Sequence, residues 1–199
     1  MNHNKENNTV AISHIACKPN VDMLWHVDQW AQELIEYAKK LGYNIVDICE
    51  CQYDLLTKVL EMTQPAILFN FSIEENLFDT SITNDFGIVS YSSHSASRFG
   101  KRCIDAGSPF YIGFTDDLLF ITDDFGTQDI FKECLLEISK KILEGWSSGS
   151  AVYHTKNNLL ETVKQYKTEK RISLPLFHDM KSLTILGDMS WTINNKSNK

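Results

Sequence analysis

The chain is 199 residues long, 43% hydrophobic and 23% charged, with a net charge of −7. That is the composition of an ordinary globular protein, long enough for one well-buried core and short for two. The acidic balance excludes a non-specific nucleic-acid binder, because no basic tract is available to neutralise phosphates. The densest cationic cluster, Lys167 to Arg171, is broken by Glu169 and reads as a solvated surface turn. No run approaches the ~18 apolar residues of a membrane span. The polar start, Met1 to Asn8, has no apolar h-region, so a cytoplasmic chain without a signal peptide is expected. Five cysteines (Cys17, Cys49, Cys51, Cys103, Cys134) are odd in number and scattered through apolar segments. They read as reduced, buried thiols, not a disulfide framework. Cys49-Glu50-Cys51 sets two sulfurs on one face, but no further ligands follow at a useful spacing, so neither a metal nor a cofactor is expected.

Strands and helices alternate along the chain. Val10 to Ala16 is a β-branched strand. Asp22 to Leu41 is a helix, with Val27, Trp30, Leu34, Ala38 and Leu41 recurring at three and four and Gly42 stopping it. Asn44 to Cys49 is a second strand, and Tyr53 to Thr63 a helix ended by Pro65. The run 66–71 is a third strand. After a mixed loop, 72–85, Gly87 to Tyr91 forms a fourth strand, Ser95 to Asp105 a helix and Pro109 to Phe114 a fifth strand. Asp129 to Leu143 is amphipathic through Phe131, Cys134, Leu135, Ile138 and Ile142. Asn157 to Tyr166 reads as a last helix. Ser182 to Leu186 and Trp191 to Ile193 read as a terminal hairpin across Gly187-Asp188. This order predicts an α/β three-layer sandwich, a mainly parallel sheet with helices on both faces. The expected organisation is a disordered start (1–8), a single domain (9–193) and a disordered polar tail (194–199). The first, third, fourth and fifth strands are expected to be central, because 67–69 and 88–89 are apolar on both faces.

The segment Gly87 to Phe114 concentrates the functional signal. A buried strand runs into Ser92-Ser93-His94-Ser95, placing a side chain at a strand's carboxyl end and a helix start, where backbone N–H groups favour anions or an activated nucleophile. Phosphate loops, the G-x-G-x-x-G fingerprint and C-x-x-C are absent. Ser93 lacks the flanking glycines of a nucleophile elbow. The serines equally suit helix N-caps. His94 adjoins Ser93 in sequence, but side chains at adjacent positions diverge. His14 and His26 sit on the first strand and first helix as structural or site residues.

The order of these motifs resembles the caspase–gingipain clan of cysteine peptidases, and its CHAT-type branch in particular. There the third strand leads to His-Gly-His-Gly, whose second histidine is the base, and the fourth ends in Ala-Cys-x-Ser-Ala, which holds the nucleophile. A "Gly-Ala-x-x-Tyr-Ile-Gly" fifth strand, a long amphipathic helix and a Leu-x-Gly-Asp-Pro turn follow. This chain carries Ser92-Ser93-His94-Ser95-Ala96, then the stretch from Gly107 to Phe114 containing Tyr111-Ile112-Gly113, then Leu186-Gly187-Asp188-Met189. The resemblance spans roughly residues 10–193 and implies a caspase-like fold.

It also implies a missing dyad. Ser93 stands at the cysteine position. Asn70-Phe71-Ser72-Ile73 replaces the histidine motif, with Ser72 at the base position, and one serine cannot deprotonate another. The resemblance then implies a pseudoprotease acting by protein–protein contact. Such a domain would be an accessory or regulatory subunit, paired with an active homologue or a larger complex as a homo- or heterodimer, in a bacterial antiviral-defence or cell-death setting. Asp116 and Asp117 fall where relatives shape the pocket for the residue before the cut, and equally suit a charged turn. Asn70 and Ser92 are expected as binding residues of the vestigial cleft. Leu77 and Phe78, with Phe86, interrupt polar sequence and are candidates for a partner surface or for a loop folded back on its own domain. Two other readings remain: an active hydrolase using Ser93 with His94 or His14 as base, and a TIR-like or flavodoxin-like binding domain sharing only the alternating order.

Overall fold

The computed structural model describes residues 8–14, 24–49, 53–71, 78–121 and 125–194. Its strands are β1 (Thr9–His14), β2 (Asn44–Cys49), β3 (Ile67–Phe71), β4 (Gly87–Ser90), β5 (Phe110–Phe114) and β6 (Leu183–Gly187). Helices are α1 (Leu24–Lys40), α2 (Tyr53–Thr63), α3 (Lys101–Asp105), α4 (Phe125–Leu143), α5 (Ser148–Gln165) and α6 (Lys170–Ser182). One six-stranded sheet has the order β2-β1-β3-β4-β5-β6, parallel except for the antiparallel β5–β6 pair.

Side chains alternate across a strand, and here both faces are covered. Val10, Ile12, Phe69, Val89 and Ile112 join the larger core with α1, α4, α5 and α6 through Trp30, Leu34, Leu135, Ile138, Leu159 and Leu176. Ala11, Leu68, Ile88 and Tyr111 face the smaller core with Leu56, Leu60, Phe99 and Cys103. Burial on two sides explains the continuous apolar runs, and each fully buried large side chain contributes about 1.5–3 kcal/mol. Gly87 is required by packing: a Cβ there would lie 2.0 Å from the Phe110 ring. The expected inner strands are inner, with β2 and β6 at the two edges.

Several expectations change. The first strand ends at His14, and Ala16 lies outside the described residues, as do Cys17, Cys51, Ser72 and Leu77. Of the described cysteines, Cys103 and Cys134 are buried and Cys49 is exposed. The stretch after Ser95 begins as a wide π-type turn, Ala96–Gly100, closed by the Gly100 N–H donating to the Ser95 carbonyl (2.8 Å), before α3 proper. Helix α5 starts at Ser148, nine residues before the periodic stretch, because Ser147 caps it by accepting the Ser150 N–H. Helix α6 was unanticipated: Pro175 lies inside it, which removes one main-chain donor, yet Ile172 and Leu176 bury and hold it.

No terminal hairpin forms. Leu183–Gly187 pairs with β5, from Phe110↔Gly187 to Phe114↔Leu183. The 191–193 segment instead packs on the core, with Trp191 4.7 Å from the Phe110 ring and its carbonyl accepting the Ser148 N–H. Satisfying the open main-chain groups of β5 along a whole strand outweighs a short local ribbon.

Candidate functional site

The carboxyl ends of β1, β3 and β4 lie side by side, with Ser13 opposite Asn70 and Asn70 opposite Ser90. Their polar side chains close on one another. Ser13 Oγ donates to Asn70 Oδ1 (2.8 Å), and Asn70 Nδ2 donates to Ser90 Oγ (3.2 Å) and Ser92 Oγ (3.5 Å). Ser13, Asn70, Ser90 and Ser92 are all essentially inaccessible. A buried amide needs such partners, and Asn70 braces the ends of β1 and β4 through them.

Beyond the brace, Tyr91 stacks on Phe71 (4.5 Å between centroids) and shares a hydrogen bond with Ser139 Oγ (2.6 Å). The chain then turns sharply. His94 is held at φ 55°, a left-handed conformation uncommon outside glycine. The 92–97 turn is laced to the segment after β5. His94 N–H donates to the Asp116 carbonyl (3.0 Å), Ser97 Oγ to the Thr115 carbonyl (2.8 Å), and Ser95 Oγ accepts the Phe114 N–H (3.3 Å). Gly113 permits this approach, since a Cβ there would lie 2.5 Å from Ser95 Oγ. The helix-cap expectation fails for Ser95: it precedes the π-type turn without capping it, and its hydroxyl accepts a β5 N–H.

Ser93 is half-buried, and its Oγ accepts the Leu118 N–H at 2.9 Å. That is its one hydrogen bond among the described residues. The neighbouring imidazole turns elsewhere, with His94 Nε2 3.2 Å from Asp117 Oδ1. His14, the other suggested base, has Nδ1 2.6 Å from Asp28 and Nε2 2.8 Å from Asp47. Both ring nitrogens therefore face carboxylates and not Ser93. Strand β3 lies between β1 and β4, which separates His14 from Ser93 by two strand spacings, about 10 Å. His26 bonds with Gln128 (2.9 Å), and burial holds its basicity below the ordinary histidine value.

His94, Asp116 and Asp117 bring one ligand-type atom each within 4.8 Å of one another. Asp116 Oδ1 already accepts the Asp117 N–H, and Asp117 pairs with His94. The cluster forms a laced, charged turn.

Two residues of α6 complete the site and left no readable signal in the sequence. His178 Nε2 donates to the Asp117 carbonyl (3.0 Å), and Asp179 Oδ1 accepts the Leu119 N–H (2.9 Å). Asp179 is fully buried, and its other oxygen has no partner. Desolvation pushes its carboxyl up to about 8, so it is a neutral acid at ordinary pH. The candidate partner loop also departs from expectation. Phe78 and Phe86 are buried at 1% and 2% exposure, and Phe78 meets Phe99 edge-on at 5.1 Å. Phe78 is thus a core residue, and this part of the loop folds back on its own domain.

Comparison with solved structures finds a similar fold. The arginine-specific cysteine proteinase gingipain R superposes with a TM-score of 0.65 over 94% of this chain at 13% identity. The fold is caspase-like. The chain spans about half of the gingipain chain, 48%. No family model and no curated protein matches its sequence. The five parallel strands also follow the 2-1-3-4-5 order of flavodoxin-like domains. The antiparallel β6 is the element such a domain does not need.

Proposed function

We propose that this caspase-like domain has lost the peptidase dyad and works by protein–protein contact, as an accessory or regulatory subunit. The observation that carries the reading is Ser93. It begins the turn after β4, accepts a main-chain N–H from Leu118, and has no imidazole bonded to its hydroxyl among the described residues. A serine hydroxyl becomes a nucleophile only when a base takes its proton. Ser72, at the base position the clan resemblance implies, supplies none and lies outside the described residues. The CHAT-type kinship, the defence or cell-death setting and pairing with an active homologue belong to this reading. The exposed edges of β2 and β6 are the places where sheet pairing with a second chain would occur.

The test is direct. Purified protein incubated with peptide libraries and a fluorophosphonate probe should neither cleave peptides nor label Ser93. Labelling of Ser93 that disappears in His94→Ala or His14→Ala would replace this reading with an active serine hydrolase.

A further inference from the structure

Helix α6 has two unlike faces. Ile172, Leu176 and Asp179 are buried against the domain. On the outside, Leu174 and Phe177 are 58% and 43% exposed, large apolar side chains that a solvent-facing helix normally replaces with polar ones. Lys170, Leu174, Phe177 and Lys181 follow at i, i+4, i+7 and i+11, so they form one stripe along the length of the helix. Its middle is apolar and each end is cationic. Lys181 Nζ lies 5.7 Å from the centre of the Phe177 ring.

The charge around the stripe is as unusual as its apolar centre. Lys167, Lys170, Arg171 and Lys181 fall in one short segment whose only carboxylates are Glu169 and the buried Asp179, in a chain of net charge −7, while Lys164 just before it pairs with Glu161. Several lysines elsewhere on the helices are paired, Lys39 with Glu36, Lys132 and Lys140 with Glu33, and Lys141 with Glu144, whereas Lys40, Lys58, Lys101 and Lys156 form no ion pair among the described residues. Lys170 and Lys181 have no carboxylate partner among the described residues.

We infer that the exposed α6 stripe is a docking face for an acidic amphipathic segment of a partner protein, one that sets a pair of apolar side chains on Leu174 and Phe177 between carboxylates that meet Lys170 and Lys181. Charge complementarity singles out this occupant. A segment touches the stripe alone, whereas an anionic membrane would also face the acidic remainder of the molecule and be repelled. Two apolar side chains are also a small footprint for membrane insertion and a sufficient anchor for a helix-in-groove contact. The inference names the kind of partner for the contact-based role proposed above and rests on that role.

The experiment presents the full chain to a display library of helical 14-residue peptides. Enriched peptides should carry paired leucine or aromatic residues flanked by Asp or Glu. A synthetic peptide from that set should bind at least tenfold more weakly to Leu174→Ser/Phe177→Ser, and more weakly in 0.5 M salt. Lys170→Glu/Lys181→Glu should reverse the preference towards basic peptides while keeping the apolar pair. Because all four side chains are exposed, both variants should keep the wild-type circular dichroism and melting temperature. No enrichment, enriched peptides without carboxylates, or binding indifferent to both variants would overturn the docking face. So would tighter capture by phosphatidylserine vesicles than by peptide, or a self-association in sedimentation that the Leu174→Ser/Phe177→Ser variant abolishes. Cleavage of the displayed peptides by the chain would instead overturn the contact-based role itself.

Discussion

Ser93 and Asp179 are the residues whose chemistry the tertiary environment has redirected. The Ser93 hydroxyl is held as an acceptor for the Leu118 N–H, so Ser93→Ala should cost about 0.5–1.5 kcal/mol in denaturant unfolding. Partner binding should be unaffected by that change. Asp179 gives a pH dependence with a definite sign. Its folded carboxyl, at about 8, lies above the unfolded value near 3.8, so the native state binds the extra proton between them. Stability is therefore greatest below about pH 4 as far as this group is concerned. It falls as pH rises towards 8, by at most about 1.4 kcal/mol per unit. In Asp179→Asn the downward slope between pH 5 and 8 should flatten, as read by chemical denaturation across that range. An unchanged slope would mean that Asp179 is ionised in the native protein.

At the scale of elements, apolar runs located the inner strands well because burial on both faces leaves a signal that needs no partner to be read. The loop before β4 shows the opposite case. Asp79, Asn84 and Asp85 break its periodicity, yet Thr80–Asp85 is a 3₁₀ turn, with Asp79 Oδ1 accepting the Ser81 N–H. The turn sets Phe78 and Phe86 into the smaller core, where they lie 6.3 Å apart. Phe78→Ala should therefore destabilise the domain by about 3–5 kcal/mol. A melting temperature within a few degrees of wild type would return Phe78 to the surface. Helix α6 was hidden for a similar reason. Pro175 and the Lys167 to Arg171 cluster look like a turn in isolation, and only packing of Ile172 and Leu176 makes the helix worth forming.

For the whole molecule, β6 is the decisive addition. It covers the outer edge of β5, and α6 leads directly into it. Truncation after Gln165 should turn β5 into an open edge, uncover the Phe110 ring that Trp191 contacts, and free the 115–119 segment from His178 and Asp179. The expected product binds a hydrophobic dye and loses near-ultraviolet circular dichroism while keeping helical far-ultraviolet signal. A truncated chain with a cooperative, wild-type-like melt would show that the five parallel strands suffice by themselves.

The alternation of strands and helices, the inner position of β1, β3, β4 and β5, and the placing of Ser93 beyond a strand end were all legible in the sequence. Each rests on local periodicity or on a continuous apolar run, properties a segment carries without its neighbours. The partners of those side chains were not legible. Asn70 braced between Ser13 and Ser90, Ser93 bound to Leu118, His94 turned to Asp117 and His14 fixed between Asp28 and Asp47 all join positions far apart in the chain or on separate elements. The pairing of β6 with β5 is of the same kind. Hydrogen bonds and strand pairing go to whichever group the packed sheet brings within about 3 Å, and that proximity exists only once the core has closed.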